Sequence, residues 1–288
     1  NEIKNLLNNY SNYSNLNYFK NQKNIGYVNN QIKCIEKSAS KYTAFLCDDD
    51  IYTKNAIDTI MKVIMSKNNY AFIALNYYSF KINFKNKRKT NFALIKDVYF
   101  ERAYDILNYP SVGHFSGFIF NSKLAKKELN VLKNKYGKNI SNKFEKHRGI
   151  ITHLANLCLS KTNLPSYFIG KQILATREPD EVDYDLLNHL NYDNICYYKD
   201  LLENGIISLN DYNYKKRLVL SSLPKAIMIE STKKNKIEYN LFRKKFDKIL
   251  LDEFYYKIFI RPLFFISQIG FVKFFWKLFY KYYKIFKR

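Results

Sequence analysis

The segment that most constrains the fold is a short apolar run that ends in three consecutive acids. The run Tyr42–Cys47 is interrupted only by a threonine and is followed at once by Asp48, Asp49 and Asp50. This pattern predicts a buried strand that opens into an acidic loop at one end of a sheet. Neighbouring carboxylates repel one another, so a cation or a network of hydrogen bonds must compensate their charge.

Two interpretations of this acidic loop fit the residues alone. In the first, the carboxylates hold a hard divalent ion, because Mg²⁺ and Mn²⁺ prefer oxygen ligands and commonly bridge to a substrate diphosphate. In the second, the acids form a solvated turn and one of them caps the following helix. Three acids are too short a motif to decide between a metal site and a turn.

The residues on both sides of the loop extend the pattern. An Asn-Ile-Gly segment at residues 24–26 precedes an amphipathic helix, the strand and the acids follow, and a second amphipathic helix extends to Met65. In this order of elements, residues 24–65 resemble glycosyltransferase family 2, which has the GT-A fold. The similarity continues more loosely to Arg177.

The resemblance implies transfer of a sugar from a nucleotide-sugar donor, with the acids holding Mn²⁺ or Mg²⁺ on the donor diphosphate. Cys47 occupies the place of the first acid in the family's usual Asp-x-Asp-Asp pattern. The metal role therefore falls first on Asp49. Asp48 and Asp50 are implied as further metal ligands and as donor-binding residues, with Asp48 near the ribose or sugar.

A second informative segment runs from Ser111 to Asn121 and has two glycines around small polar residues. Glycines let a backbone approach a ligand closely. In the family, a glycine-containing segment here lies beside the donor sugar, so the resemblance implies donor-binding roles for His114, Ser116 and Gly117. The alternative is a tight turn into a core strand, with the histidine hydrogen-bonded locally.

The resemblance also implies a catalytic base for the acceptor hydroxyl, near the start of an apolar helix at residues 150–159. Glu145 is the nearest acid, and partial burial suits a carboxylate for this role because it raises the pKa. The family's usual Glu-Asp pair is absent, so His147, with an ordinary pKa near neutrality, is the second candidate. Arg177 ends an alternating strand pattern and is suited to bind the donor diphosphate, or else pairs with a surface acid.

Periodicity divides the chain into three parts. Residues 1–182 are expected to form an α/β unit of GT-A type, a Rossmann-type mixed sheet flanked by helices, and residues 183–253 a helical appendage. The family's first strands have no counterpart near the start, which implies that the N-terminal part of the donor-binding domain is missing. A short strand is expected over residues 16–19.

The third part, residues 254–288, carries eight basic residues and no acid. Its aromatic and aliphatic residues recur at helical spacing beside a stripe of lysines. The longest uncharged run, Pro262–Val272, is shorter than the ~20 residues of a membrane span. The pattern predicts an amphipathic tail on the anionic inner face of the cell membrane, on the cytoplasmic side, and the alternative is a helix packed on the domain.

The chain has 48 Lys and Arg against 25 Asp and Glu, a net charge of +23 that favours an anionic partner. Nucleic acid is not expected, because the sequence has no RNA-recognition signature, zinc-finger spacing or arginine-rich run. The predicted function is an inverting glycosyltransferase that acts on a lipid-linked or other glycan acceptor in bacterial surface polysaccharide or lipooligosaccharide synthesis. A nucleic-acid-binding protein and an inactive relative of the family are the alternatives.

Overall fold

The sheet lies at the centre of the part of the chain that the computed structural model describes. That part comprises residues 8–10, 12–66, 68–81, 88–89, 95–109, 112–145, 149–177, 187, 191–232, 239–269, 271–272 and 275–276. Mixed strand directions and flanking helices confirm the expected α/β class. The strands described are β1 (Tyr42–Ala44), β2 (Ile51–Tyr52), β3 (Phe72–Phe80), β4 (Arg88–Lys89), β5 (Val98–Phe100), β6 (Phe118–Asn121) and β7 (Ser166–Arg177).

The strand order is β1-β6-β3-β7-β2, with β4 beside β3 and β5 beside β7. The two long strands, β3 and β7, run parallel, and the other pairs are antiparallel. Phe72 and Ala74 of β3 belong to one buried cluster, whereas Ile73 and Leu75 belong to another. Because successive side chains of a strand point to opposite faces, the sheet has a hydrophobic core on each face. This explains why β3 is apolar at most positions on both faces.

The helices follow the amphipathic patterns of the sequence. The first helix buries Val28, Ile32 and Ile35 in the same hydrophobic cluster as Phe72 and Ala74 of the sheet. The helix after β6 has an N-cap, since the side chain of Asn121 accepts hydrogen bonds from the backbone N–H groups of Lys123 and Leu124. The helices of this unit are α1 (Tyr27–Lys37), α2 (Ala56–Ile64), α3 (Ser122–Tyr136), α4 (Ile140–Glu145) and α5 (Ile150–Ser160).

A second, helical unit follows β7 and contains α6 (Asp193–Glu203), α7 (Leu209–Thr232) and α8 (Tyr239–Leu250). It has its own buried cluster around Leu223 and Phe246. The chain continues with a π-helical turn, Tyr256–Ile260, and the short helix α9, Leu263–Ile266. One face of this last segment is buried in the same cluster, through Tyr256, Ile260 and Phe264.

The start of α7 joins the helical unit to the sheet unit at a short 3₁₀ helix, Ala103–Asn108. The guanidinium of Arg102 pairs with the buried carboxylate of Asp211, which also accepts a hydrogen bond from Ser208. One turn later, the Tyr214 hydroxyl donates to the carbonyl of Asn108 at 2.9 Å. These contacts hold the first turns of α7 against the sheet unit.

Two details of the sequence interpretation need correction. Residues 16–19 form no strand and are exposed, because this segment has no neighbouring strand with which to pair among the described residues. The strand before the acids is also shorter than its apolar run, since β1 pairs with β6 only from Tyr42 to Ala44. The loop therefore begins three residues before Asp48.

Candidate active site

The acidic loop connects the two outermost strands of the main strand order, β1 and β2, and so crosses one end of the sheet. Two contacts with distant parts of the chain fix its path. The backbone N–H of Cys47 donates to Ser116 Oγ at 3.1 Å, and Asp50 Oδ1 accepts from the backbone N–H of Arg177 at 3.1 Å. A third hydrogen bond, from the N–H of Asp50 to the carbonyl of Cys47 at 3.2 Å, tightens the turn.

Three potential ligand atoms converge in this loop. Those of Cys47, Asp49 and Asp50 all lie within 4.8 Å of one another. Asp50 is buried, and its Oδ2 makes no hydrogen bond to any described residue. A buried carboxylate oxygen without a donor is costly, so a cation at this point would compensate it. Asp48 is exposed and lies outside the group of three.

The acids also shape the ionisation of their neighbours. Burial, and to a lesser extent Asp50, raises the pKa of Tyr52 to about 12. Burial and the nearby acids raise the pKa of the Cys47 thiol, so the thiol is protonated at neutral pH when no cation is near. The two carboxylates are therefore the stronger ligands of the group, and oxygen ligands suit Mg²⁺ and Mn²⁺.

His114 stands directly beside the acidic loop. Its Nδ1 lies 3.5 Å from Asp50 Oδ2, and its ring is stacked on Phe115 with the two planes 7° apart. Burial lowers the pKa of His114, although Asp50 and Asp49 oppose part of this effect. The imidazole is thus uncharged at neutral pH, and its contact with Asp50 is not an ion pair.

The other two candidate residues of the glycine-containing segment, Ser116 and Gly117, lie behind the acidic loop. Ser116 is fully buried, and its hydroxyl supports Cys47 rather than facing a cavity. Gly117 packs against β3 so closely that an added Cβ would lie 3.1 Å from the carbonyl oxygen of Leu75. The structure therefore places His114 beside the loop, and Ser116 and Gly117 in the layer that supports it.

The structure describes only some of the remaining predicted site residues. Arg177 is exposed at the end of β7 and contacts the site through its backbone N–H. Glu145 is the last residue of α4, but its side chain is not among the described ones. His147 lies outside the described residues. Both candidate bases stay predictions.

A cavity of about 750 Å³ opens beside His114. Its walls come from the segment between residues 107 and 118, from α5, and from α6 and α7 of the helical unit. Six aromatic side chains line it: Tyr27, Tyr109, Phe115, Phe118, Tyr198 and Tyr214. None of the acidic-loop residues lines this cavity, so it is a second compartment that meets the loop at His114.

Sequence reasoning missed two features of this region. Cys47 was interpreted as a lost acid, yet its sulfur lies in the ligand group. Lys215 was not singled out, because a lysine on a helix is usually solvated, yet it is buried at the wall of the cavity. Its helical spacing from Tyr212, Leu218 and Val219 was the available indication.

The sheet, its helices and the acidic loop at one sheet end define an α/β protein of GT-A type. Residues 1–129 match the family model described as Glycosyl transferase family 2, and this region is a glycosyltransferase family 2 domain. A domain of this family supports glycosyltransferase activity, and the family implies a nucleotide-sugar donor, an acceptor and, in general, a divalent metal. No curated protein matches the chain.

Proposed function

We propose that the protein transfers a sugar from a nucleotide-sugar donor to a hydroxyl of a glycan acceptor, with a divalent ion held at Asp49 and Asp50. The observation that carries this proposal is the group of converging ligand atoms at the end of the sheet, inside the family 2 domain. When bound, the ion would neutralise charge on the leaving diphosphate. Cys47 and the exposed Asp48 complete the surroundings of the donor.

The neighbouring residues have supporting roles in this proposal. His114 borders both the acidic loop and the cavity, and so separates donor from acceptor. Ser116 and Gly117 hold the loop in place, and Arg177 offers an exposed guanidinium near the donor diphosphate. Glu145, or His147 in its place, would accept the acceptor proton, and the expected outcome is inversion at the anomeric carbon.

The proposed acceptor follows from the membrane location that we expect for the protein. We propose that the acceptor is a lipid-linked glycan of bacterial surface polysaccharide or lipooligosaccharide synthesis, at the cytoplasmic face of the membrane. The proposed division has a GT-A unit over residues 1–182, a helical unit over 183–253 and a membrane-associating tail over 254–288. None of the helices within the described ranges is both long and apolar enough to cross a bilayer.

Hydrolysis of the donor tests the transferase proposal without knowledge of the acceptor. A panel of nucleotide sugars is incubated with the full chain and Mn²⁺, and the release of nucleoside diphosphate is measured. We expect release from at least one donor, and we expect EDTA to abolish it. Absence of release from every donor, together with tight and salt-sensitive binding to RNA, would favour the nucleic-acid-binding alternative.

The membrane proposal rests on an exposed apolar surface near the end of the described chain. Phe254 is 73% exposed and Phe259 56% exposed, on the side opposite the buried Tyr256 and Ile260. We call this the tail surface, and it also includes Tyr255, Ile258, Phe265, Ile266, Ile269 and Phe271. Anionic lipid is the occupant that the charge favours, because residues 254–288 contain basic residues and no acids. The lysine stripe from Lys273 to Lys284 lies outside the described residues.

Replacing two aromatic residues of the tail surface should weaken membrane binding. We expect the double variant Phe254→Ser and Phe259→Ser to bind vesicles that contain anionic lipid about tenfold more weakly, because two inserted rings are removed from the lipid. Met65→Ser, which changes an equally exposed apolar side chain just after α2, is the control. Equal vesicle binding by the double variant and the control would contradict the membrane proposal.

A further inference from the structure

The cavity beside His114 has an unusual combination of lining groups. Six tyrosine and phenylalanine side chains line it, and Lys215 is the one cation among its described lining residues, which include no acid. Lys215 is 6% exposed, so its ammonium is largely removed from water. A buried cation is costly unless an anion or several acceptors compensate it.

The protein itself compensates this ammonium only in part. The Nζ of Lys215 donates to the carbonyl of Leu107 at 2.5 Å and lies 5.6 Å from the centre of the Tyr198 ring. A lysine has three N–H donors, and no other hydrogen bond of this ammonium is recorded among the described residues. Asp211, one turn away, is occupied by Arg102 and Ser208. Burial lowers the pKa of Lys215 to about 8, with Asp211 opposing part of this effect.

The other walls suit a carbohydrate. Sugar rings present apolar C–H faces that pack on aromatic side chains, and their hydroxyls donate to acceptors such as the side-chain oxygen of Asn108, which lines the cavity and accepts no hydrogen bond from the described residues. A volume of about 750 Å³ falls within the range of ligand sites, ~300–1,000 Å³. The cavity meets the acidic loop at His114, which places its contents next to the donor.

We propose that this cavity binds the acceptor and that the acceptor carries an anionic group next to a sugar ring, which Lys215 recognises. The inference rests on the proposed transferase function and adds the chemical class of its acceptor. Two sources have this chemistry: the carboxylate of an acidic sugar, and the phosphate that links a sugar to a lipid. Lys215 lies beyond residue 129, where the family match ends, so the helical unit supplies this selectivity.

The test compares binding of three probes that differ in charge: glucose, glucuronic acid and glucose 1-phosphate. Affinities for the full chain are measured by ligand-observed NMR titration. We expect at least one anionic probe to bind about tenfold more tightly than glucose, because a charge-assisted hydrogen bond replaces a neutral one. Preference for glucuronic acid identifies the acidic sugar, and preference for glucose 1-phosphate identifies the phosphate.

Variants separate recognition from folding. Lys215→Met should remove the anionic preference, and Lys215→Arg should retain it. Lys216→Met removes the same charge from the next residue, whose ammonium pairs with Glu253 and does not line the cavity, and should leave the preference unchanged.

Two results would overturn the inference: equal binding of the neutral and anionic probes, or a Lys215→Met variant that is folded by circular dichroism and keeps the preference. Failure of the transferase proposal has a different signature. Donor hydrolysis would then be absent while the anionic preference and its dependence on Lys215 persist. The ligand class of the cavity would stand in that case, and its role as an acceptor site would fall.

Discussion

Replacing Asp49 by alanine should reduce donor hydrolysis by at least about 100-fold. Asp49 is exposed and belongs to the group of converging ligand atoms with Cys47 and Asp50. A metal at a leaving diphosphate contributes several kcal/mol of charge stabilisation, and each ~1.4 kcal/mol corresponds to a factor of ten in rate. Hydrolysis is measured at saturating donor with Mn²⁺ for the wild-type protein and the variant.

The control for this prediction is Asp58→Ala. Asp58 is an exposed carboxylate on α2, in the first turn of a helix outside the ligand group. We expect hydrolysis by this variant to stay within about twofold of the wild-type rate, since surface substitutions of this kind have small effects. Turnover by Asp49→Ala equal to that of Asp58→Ala would remove the metal role from Asp49.

Replacing Phe72 by alanine should give the largest loss of stability. Phe72 is fully buried in β3, and its ring contacts those of Phe118 and Phe120 on β6 at centroid distances of 5.0 and 5.1 Å. Truncating such a side chain removes its transfer free energy and leaves a cavity, so we expect the free energy of unfolding to fall by about 3–5 kcal/mol. Urea denaturation followed by circular dichroism measures this change.

The matched control is Phe254→Ala, which truncates the same side chain at an exposed position. Its effect on the free energy of unfolding should stay below about 0.5 kcal/mol. A loss for Phe72→Ala no larger than that of the control would contradict the placement of β3 between two cores. β6 directly follows His114 and Ser116, so looser packing of β6 on β3 should also disturb these two residues. The Phe72 variant should therefore bind donor less well near its melting temperature.

The long elements of the fold could be predicted because their patterns are local. β3 is largely an apolar run, β7 alternates apolar and polar residues, and α1 and α2 have apolar residues at helical spacing, so the pattern of each segment predicts its structure. The prediction of a strand at residues 16–19 was wrong because it used only the local apolar pattern. A strand also needs a neighbouring strand to pair with, and none pairs with this segment among the described residues.

The details of the site depend on contacts that the sequence does not reveal. The acidic loop takes its path from Ser116 and Arg177, which are 69 and 127 residues away from the groups they bind. These contacts bring Cys47 into the ligand group and leave Asp48 in water, a distinction that a run of three acids cannot show. The burial of Lys215 likewise depends on distant residues, since its ammonium donates to the carbonyl of Leu107.

Binding of Mn²⁺ tests the central claim most directly, because it does not depend on knowing the donor sugar. The electron paramagnetic resonance signal of free Mn²⁺ is lost when the ion binds, so titration of the protein gives its affinity. We predict that the wild-type protein binds Mn²⁺, that nucleoside diphosphate tightens this binding, and that Asp49→Ala weakens it at least about tenfold. Equal Mn²⁺ binding by the wild-type protein and Asp49→Ala, with no effect of nucleoside diphosphate, would contradict a metal-assisted donor site at the acidic loop.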